Sequence, residues 1–171
     1  RAMLEAVART SDRALMLAHP ANPTGMAVPA SDLSEMLAWC RETGRHAIVD
    51  EIYLNLSFNP LKSSLVSSDS HFVAGSFSKY FNMTGWRLGW LVVPEYALAA
   101  TQKLAQHLFI CAPSFAQDAA IACFQEDVLS VAESHRLELL ARRDMLIPAL
   151  RTLGFQVALI PDGAFYLFVD G

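Results

Sequence analysis

Lysine is scarce in this sequence of 171 residues, with one at each of positions 62, 79 and 103. The 13 lysines and arginines form no run longer than Arg142-Arg143, so the clustered positive stripe of a nucleic-acid surface is missing. Cysteine is sparse too. Cys40, Cys111 and Cys123 are odd in number and lack CxxC spacing, which argues against a disulfide frame and for buried thiols in a reducing, cytoplasmic compartment. The five histidines (19, 46, 71, 107 and 135) make no pair at ligand spacing, so no metal is expected and each reads as structural or surface. No apolar stretch approaches the about 20 residues of a spanning helix, and the first residues lack the apolar centre of a signal peptide. Neither a membrane nor a nucleic-acid partner is expected.

What is present is a hydrophobic content of 53 %, a charged content of 18 % and a mild net charge of -4, the profile of a chain that buries a sizeable core. Both ends read as cuts through a larger protein. The chain opens in an amphiphilic stretch without an initiator Met and closes at Asp170-Gly171, directly after an apolar segment.

Residues 1–9 read as the end of a helix. The apolar run Ala14-Leu15-Met16-Leu17-Ala18 then fits a strand buried on both faces, stopped by the loop His19-Pro20-Ala21-Asn22-Pro23-Thr24-Gly25. Ser31 reads as the cap of a helix whose Leu33, Met36, Leu37 and Cys40 share one face, with Gly44 closing it. A second strand, His46-Ala47-Ile48-Val49, runs into Asp50-Glu51-Ile52-Tyr53 and completes a parallel strand–helix–strand unit. After a loop over 55–70, strands are expected at 72–75 and 88–93. Helices are expected at 95–108, 114–124 and 127–153, the last with Leu137, Leu140, Met145, Leu146, Leu150 and Leu153 in near-helical register. Its length suggests a bridge between domains, so a boundary is placed at 128. Two short strands, 155–160 and 164–169, follow around the turn Pro161-Asp162-Gly163.

The chemistry concentrates at Gly75-Ser76-Phe77-Ser78-Lys79. Lys79 follows a short apolar run and sits among aromatics and hydroxyls, a setting that would strip hydration from its ammonium and favour a nucleophilic amine. Ser76 lies three residues before it and Arg87 eight after, a hydroxyl and a permanent cation suited to a phosphate. An aldehyde-capturing lysine beside an anion clamp points to pyridoxal 5'-phosphate (PLP). Taken alone, the stretch could also be a structural lysine in a tight turn. Asn22, Asp50, Tyr53 and Arg87 each have a plain alternative as well: loop cap, turn cap, core aromatic and surface ion pair. All of them stand at or just beyond strand ends, where open α/β sheets bind ligands.

Asn-Pro-Thr-Gly at 22–25, Asp50-Glu51-Ile52-Tyr53, Ser76-Phe77-Ser78-Lys79 and Gly85-Trp86-Arg87-Leu88-Gly89-Trp90 together resemble the fold-type I, class I/II PLP-dependent aminotransferases, in order and interval as well as in residue. Pro161-Asp162-Gly163-Ala164-Phe165-Tyr166 is similar to the first strands of that family's small domain. The resemblance implies an α/β fold: a PLP-dependent transferase-like large domain, mostly parallel sheet between helices, over 1–128, and the connecting helix and start of a smaller α+β domain over 129–171. It implies that Lys79 holds the cofactor aldehyde as an internal aldimine, that Asn22 and Tyr53 bond its phenolic oxygen, and that Asp50 pairs with its ring nitrogen. Ser76 and Arg87 would take the phosphate, with Ser78 a further donor. Amino acids and 2-oxo acids are the implied substrates and a homodimer the implied assembly. Because other parts of the family's site lie outside these residues, 1–171 alone is expected not to transaminate efficiently. The same scaffold also serves PLP-dependent lyases or synthases, here carbon–sulfur lyases, and the effector half of certain transcription regulators.

Overall fold

The computed structural model describes residues 7–8, 10–66 and 70–171. Four strands form one sheet in sequence order: β1 (Ala14–Ala18), β2 (His46–Asp50), β3 (Phe72–Ser76) and β4 (Gly89–Val92). The first three run parallel, and β4 returns antiparallel against β3. This is the α/β sheet, mostly parallel, expected from the apolar runs. Of the helix expected at 1–9, residues 7 and 8 are helical and the rest lies outside the described residues.

Between β1 and β2, helix α1 (Ala30–Glu42) places Leu33, Met36, Leu37 and Cys40 on the sheet, where they form one core with Leu15, Ala47, Val49 and Val73. Spacing of three, four and seven residues puts those side chains on one helical face, and each one buried contributes on the order of 1.5–3 kcal/mol. The helix starts two residues earlier than expected. Pro29, and not Ser31, is the residue before the first turn, and the Ser31 hydroxyl bonds Asp32 instead. Gly44 ends the segment at φ +68°, where a side chain would be strained.

Helices α2 (Leu98–Leu108), α3 (Ser114–Ala122) and α4 (Glu126–Thr152) follow β4. A second core joins Phe77, Met83 and Leu88, which flank the turn after β3, to Ala116, Ala120 and Cys123 of α3 and its C-cap. Cys40 and Cys123 are buried as expected, but Cys111 is exposed, in the link between α2 and α3. Helix α4 is one uninterrupted helix despite Pro148. It buries Ala132 and Ile147, while Leu137, Met145 and Leu146 are exposed, as is Leu153 at its C-cap; the apolar register is not a buried face in this chain.

The strands expected at 155–160 and 164–169 do not form. A single bridge pairs Gln156 with Asp170, and a second pairs Ser57 with Gly163. The reason lies in the competing partners of the turn. The Asp162 and Gly163 N–H groups donate to the Gly25 carbonyl, the Ala164 N–H donates to the Leu56 carbonyl, and the Asp162 carbonyl accepts from Phe58. Ala164 is also left-handed at φ +62°, which breaks extended geometry.

Candidate functional site at the carboxyl edge of the sheet

The strand register fixes where the site forms. Ala18 of β1 pairs with Asp50 of β2, and Asp50 pairs with Ala74 of β3, so three parallel strands end at nearly one level. The segments that leave them carry Asn22, Tyr53, and Ser76 to Lys79. Strand β4 is antiparallel and starts where β3 ends, with Gly89 opposite Ser76, so Arg87 arrives at the same edge. The backbone therefore brings all seven sequence-predicted residues, Asn22, Asp50, Tyr53, Ser76, Ser78, Lys79 and Arg87, to one rim.

Asp50 ends β2, half-buried. Its Oδ1 accepts the Ile52 N–H at 3.1 Å, and its other oxygen has no hydrogen bond among the described residues. Tyr53 is buried, 3 % exposed, and its hydroxyl meets the Tyr166 hydroxyl at 2.6 Å. Burial above all, then its pairing with the Tyr166 hydroxyl and the nearby Asp50 carboxylate, push the Tyr53 phenol well above its ordinary range, opposed by the nearby Asn22 amide. Tyr53 is therefore a neutral hydroxyl at physiological pH.

Beyond β3 the chain makes a compact turn. The Ser76 Oγ accepts the Ser78 N–H at 3.0 Å, the Thr84 hydroxyl donates to the Ser78 carbonyl at 2.6 Å, and the Asn82 N–H donates to the Lys79 carbonyl at 3.1 Å. Lys79 is half-buried, and its Nζ lies 5.9 Å from the Tyr53 ring centroid and 5.8 Å from that of Phe165. That is close enough for a cation to be held by both rings. Lys79 also borders a cavity of about 320 Å³ shared with Asn82, His135, Glu138 and Phe165. Arg87 is left-handed at φ +56° and donates once, to the Thr84 carbonyl at 2.9 Å; its remaining N–H groups have no partner among the described residues.

The loop that bears Asn22 is locked from below. Gly25, at φ +68°, touches the 161–163 segment so closely that a side chain would overlap Pro161 and the Gly163 carbonyl. The Asp162 carboxylate accepts the Ala27 N–H at 2.8 Å. His19 is buried at the start of the loop, and its Nδ1 accepts the Val28 N–H at 3.0 Å. Burial lowers its pKa, opposed by the Glu51 and Asp162 carboxylates.

The donor set fits the cofactor expected from the sequence: an amine for an aldehyde, a carboxylate with a spare oxygen for a ring nitrogen, a neutral phenol for an oxygen anion, and hydroxyls with a part-free guanidinium for a phosphate. Sequence reasoning missed two neighbours, Phe165 and Tyr166, which it assigned to a strand. The signal available was an aromatic pair directly after a Pro-Asp-Gly turn.

Comparison with known proteins gives one answer. The family model described as "Aminotransferase class I and II" matches residues 1–171. The valine–pyruvate aminotransferase of Mycobacterium tuberculosis is 35% identical over 161 residues, covering 92% of this chain and 42% of the relative. An aspartate aminotransferase of Sulfolobus acidocaldarius is 33% identical over 162 residues, covering 90% of this chain and 39% of its own. Among solved structures, an aminotransferase from Mycobacterium tuberculosis superposes with a TM-score of 0.92 at 34% identity, over 98% of this chain and 44% of that one. The Thermus thermophilus aspartate aminotransferase with maleate gives 0.88 at 29% identity, over 98% and 45%. The chain spans less than half the length of the curated relatives it matches.

Proposed function

This chain belongs to the class I and II aminotransferases, and on that premise we propose that its parent protein moves an amino group from an amino acid to a 2-oxo acid, with Lys79 as the catalytic amine. The observation that supports this is the register in which Ala18, Asp50 and Ala74 lie level, with β3 ending two residues on at Ser76 opposite Gly89, so that the segments bearing the seven polar residues leave the sheet at one rim. Bound PLP supplies an electron-accepting ring for the electrons released when the α-proton leaves. Lys79 Nζ would hold the cofactor's aldehyde carbon until the substrate amine displaces it there, and the freed Nζ would then take the α-proton of the amino acid as general base and return it as general acid. The Asp50 carboxylate holds a proton on the ring nitrogen. Asn22 and Tyr53 orient the phenolic oxygen, and Ser76, Ser78 and Arg87 bind the phosphate.

The relatives' names, valine–pyruvate and aspartate, differ in substrate. The proposal therefore commits to the class, amino acid plus 2-oxo acid, in a cytoplasmic homodimer, with 1–128 in the large domain and 129–171 opening the small one. The test is an assay of the full-length protein loaded with PLP against paired amino acids and 2-oxo acids. Transfer is expected for at least one pair, and Lys79→Ala should lower its rate by about 10²-fold or more. Release of a side-chain fragment without amino transfer would place the protein among lyases instead.

A further inference from the structure

We propose that Tyr166 is a positioning residue that sets the hydrogen-bonding direction of Tyr53 toward the bound cofactor. The inference rests on the proposed function. It starts from one contact, the 2.6 Å approach of the Tyr166 and Tyr53 hydroxyls, made between side chains 113 positions apart. A phenol carries one proton and accepts through its lone pairs. Either hydroxyl can donate across that contact; when Tyr166 is the donor, the Tyr53 proton is left for a third acceptor. Tyr53 is thereby turned into a fixed donor at the site.

Tyr166 is itself held in place. Ala164 is fully buried and its N–H donates to the Leu56 carbonyl at 3.2 Å, while the Tyr166 ring meets the Tyr53 ring edge-on at 5.6 Å and packs on Phe165 at 4.8 Å. The charged groups that act on Tyr53 are Asp50, from the end of β2, and Lys79, whose Nζ stands off its ring. Neither can replace a hydroxyl donor, because a carboxylate only accepts and Lys79 Nζ is committed to the aldehyde.

The test uses the full-length, PLP-loaded protein without substrate. The visible band of bound PLP is titrated with pH in wild type, Tyr166→Phe, Tyr53→Phe and the double variant. Phe keeps the ring packing and removes only the hydroxyl. A donor to the phenolic oxygen stabilises its anion and loosens the neighbouring proton, so a weakened donor raises the midpoint. Tyr166→Phe should raise it by about half a pH unit, the size of one ordinary hydrogen bond. Tyr53→Phe should raise it further, and Tyr166→Phe should add nothing in the Tyr53→Phe background. An unchanged midpoint in Tyr166→Phe, or an equal shift with and without Tyr53, overturns the positioning role and leaves the proposed function standing. Absence of the band in wild type overturns both.

Discussion

His19 shows how one buried contact dictates an ionisation state. Its Nδ1 accepts the Val28 N–H, so the ring is neutral in the folded protein, and burial lowers its pKa from 6.5 despite the Glu51 and Asp162 carboxylates. Once the pH falls below that value the unfolded chain takes up a proton that the folded ring refuses, so stability drops with acidification through and below about pH 6.5. Denaturation in urea should show a lower midpoint near pH 5 than near pH 7.5. His19→Asn, which keeps an acceptor and cannot protonate, should flatten that part of the profile; an unaltered pH dependence would mean that His19 is not its source. His19 was legible as structural, because no second histidine stood at ligand spacing. Its acceptor role was not, because Val28 returns to it through the loop.

At the scale of elements, β3 and β4 carry the Ser76–Lys79 turn on a tight pairing. Gly75 lies opposite Trp90, and a Cβ at Gly75 would run into the indole; a Cβ at Gly89 would meet the Gly75 carbonyl at 2.7 Å. Gly75→Ala must therefore displace Trp90, which also stacks edge-on against Phe77 at 5.1 Å. Overpacking of this kind costs about 1–3 kcal/mol. A melting temperature lowered by several degrees is expected, and one within a degree of wild type would contradict the account. Helix α1 and strands β1 to β3 were readable because periodicity and apolar runs are local signals. The antiparallel sense of β4 was not, since a run of apolar residues does not state its direction. The failed hairpin at 155–169 follows the same logic: its turn spends its N–H groups on Gly25 and Leu56, partners more than 100 positions away.

Over the whole molecule, the site was legible to the extent that it sits on strand ends. Asn22, Asp50, Tyr53, Ser76, Lys79 and Arg87 all follow or precede apolar runs, and a parallel sheet collects such residues on one edge. Phe165 and Tyr166 reach the same place across a tertiary contact that no local pattern announces. The third core cluster makes the join, uniting Tyr53, Leu56 and Ala164 with Tyr80, Leu139 of α4 and Tyr166. Large apolar side chains such as Leu104, Leu108, Phe109 and Ile110 stay exposed along and after α2, the kind of surface that a larger protein or a partner covers.

Lys79 as the amine that would bind the cofactor is directly testable, because lysine is scarce in the chain. The full-length protein is incubated with PLP, reduced with borohydride, digested and mapped by mass spectrometry. A pyridoxyl phosphate adduct on the peptide containing Lys79, lost in Lys79→Ala, is the predicted result. An adduct at Lys62 or Lys103 with Lys79 unmodified, or none within this chain, would contradict the account.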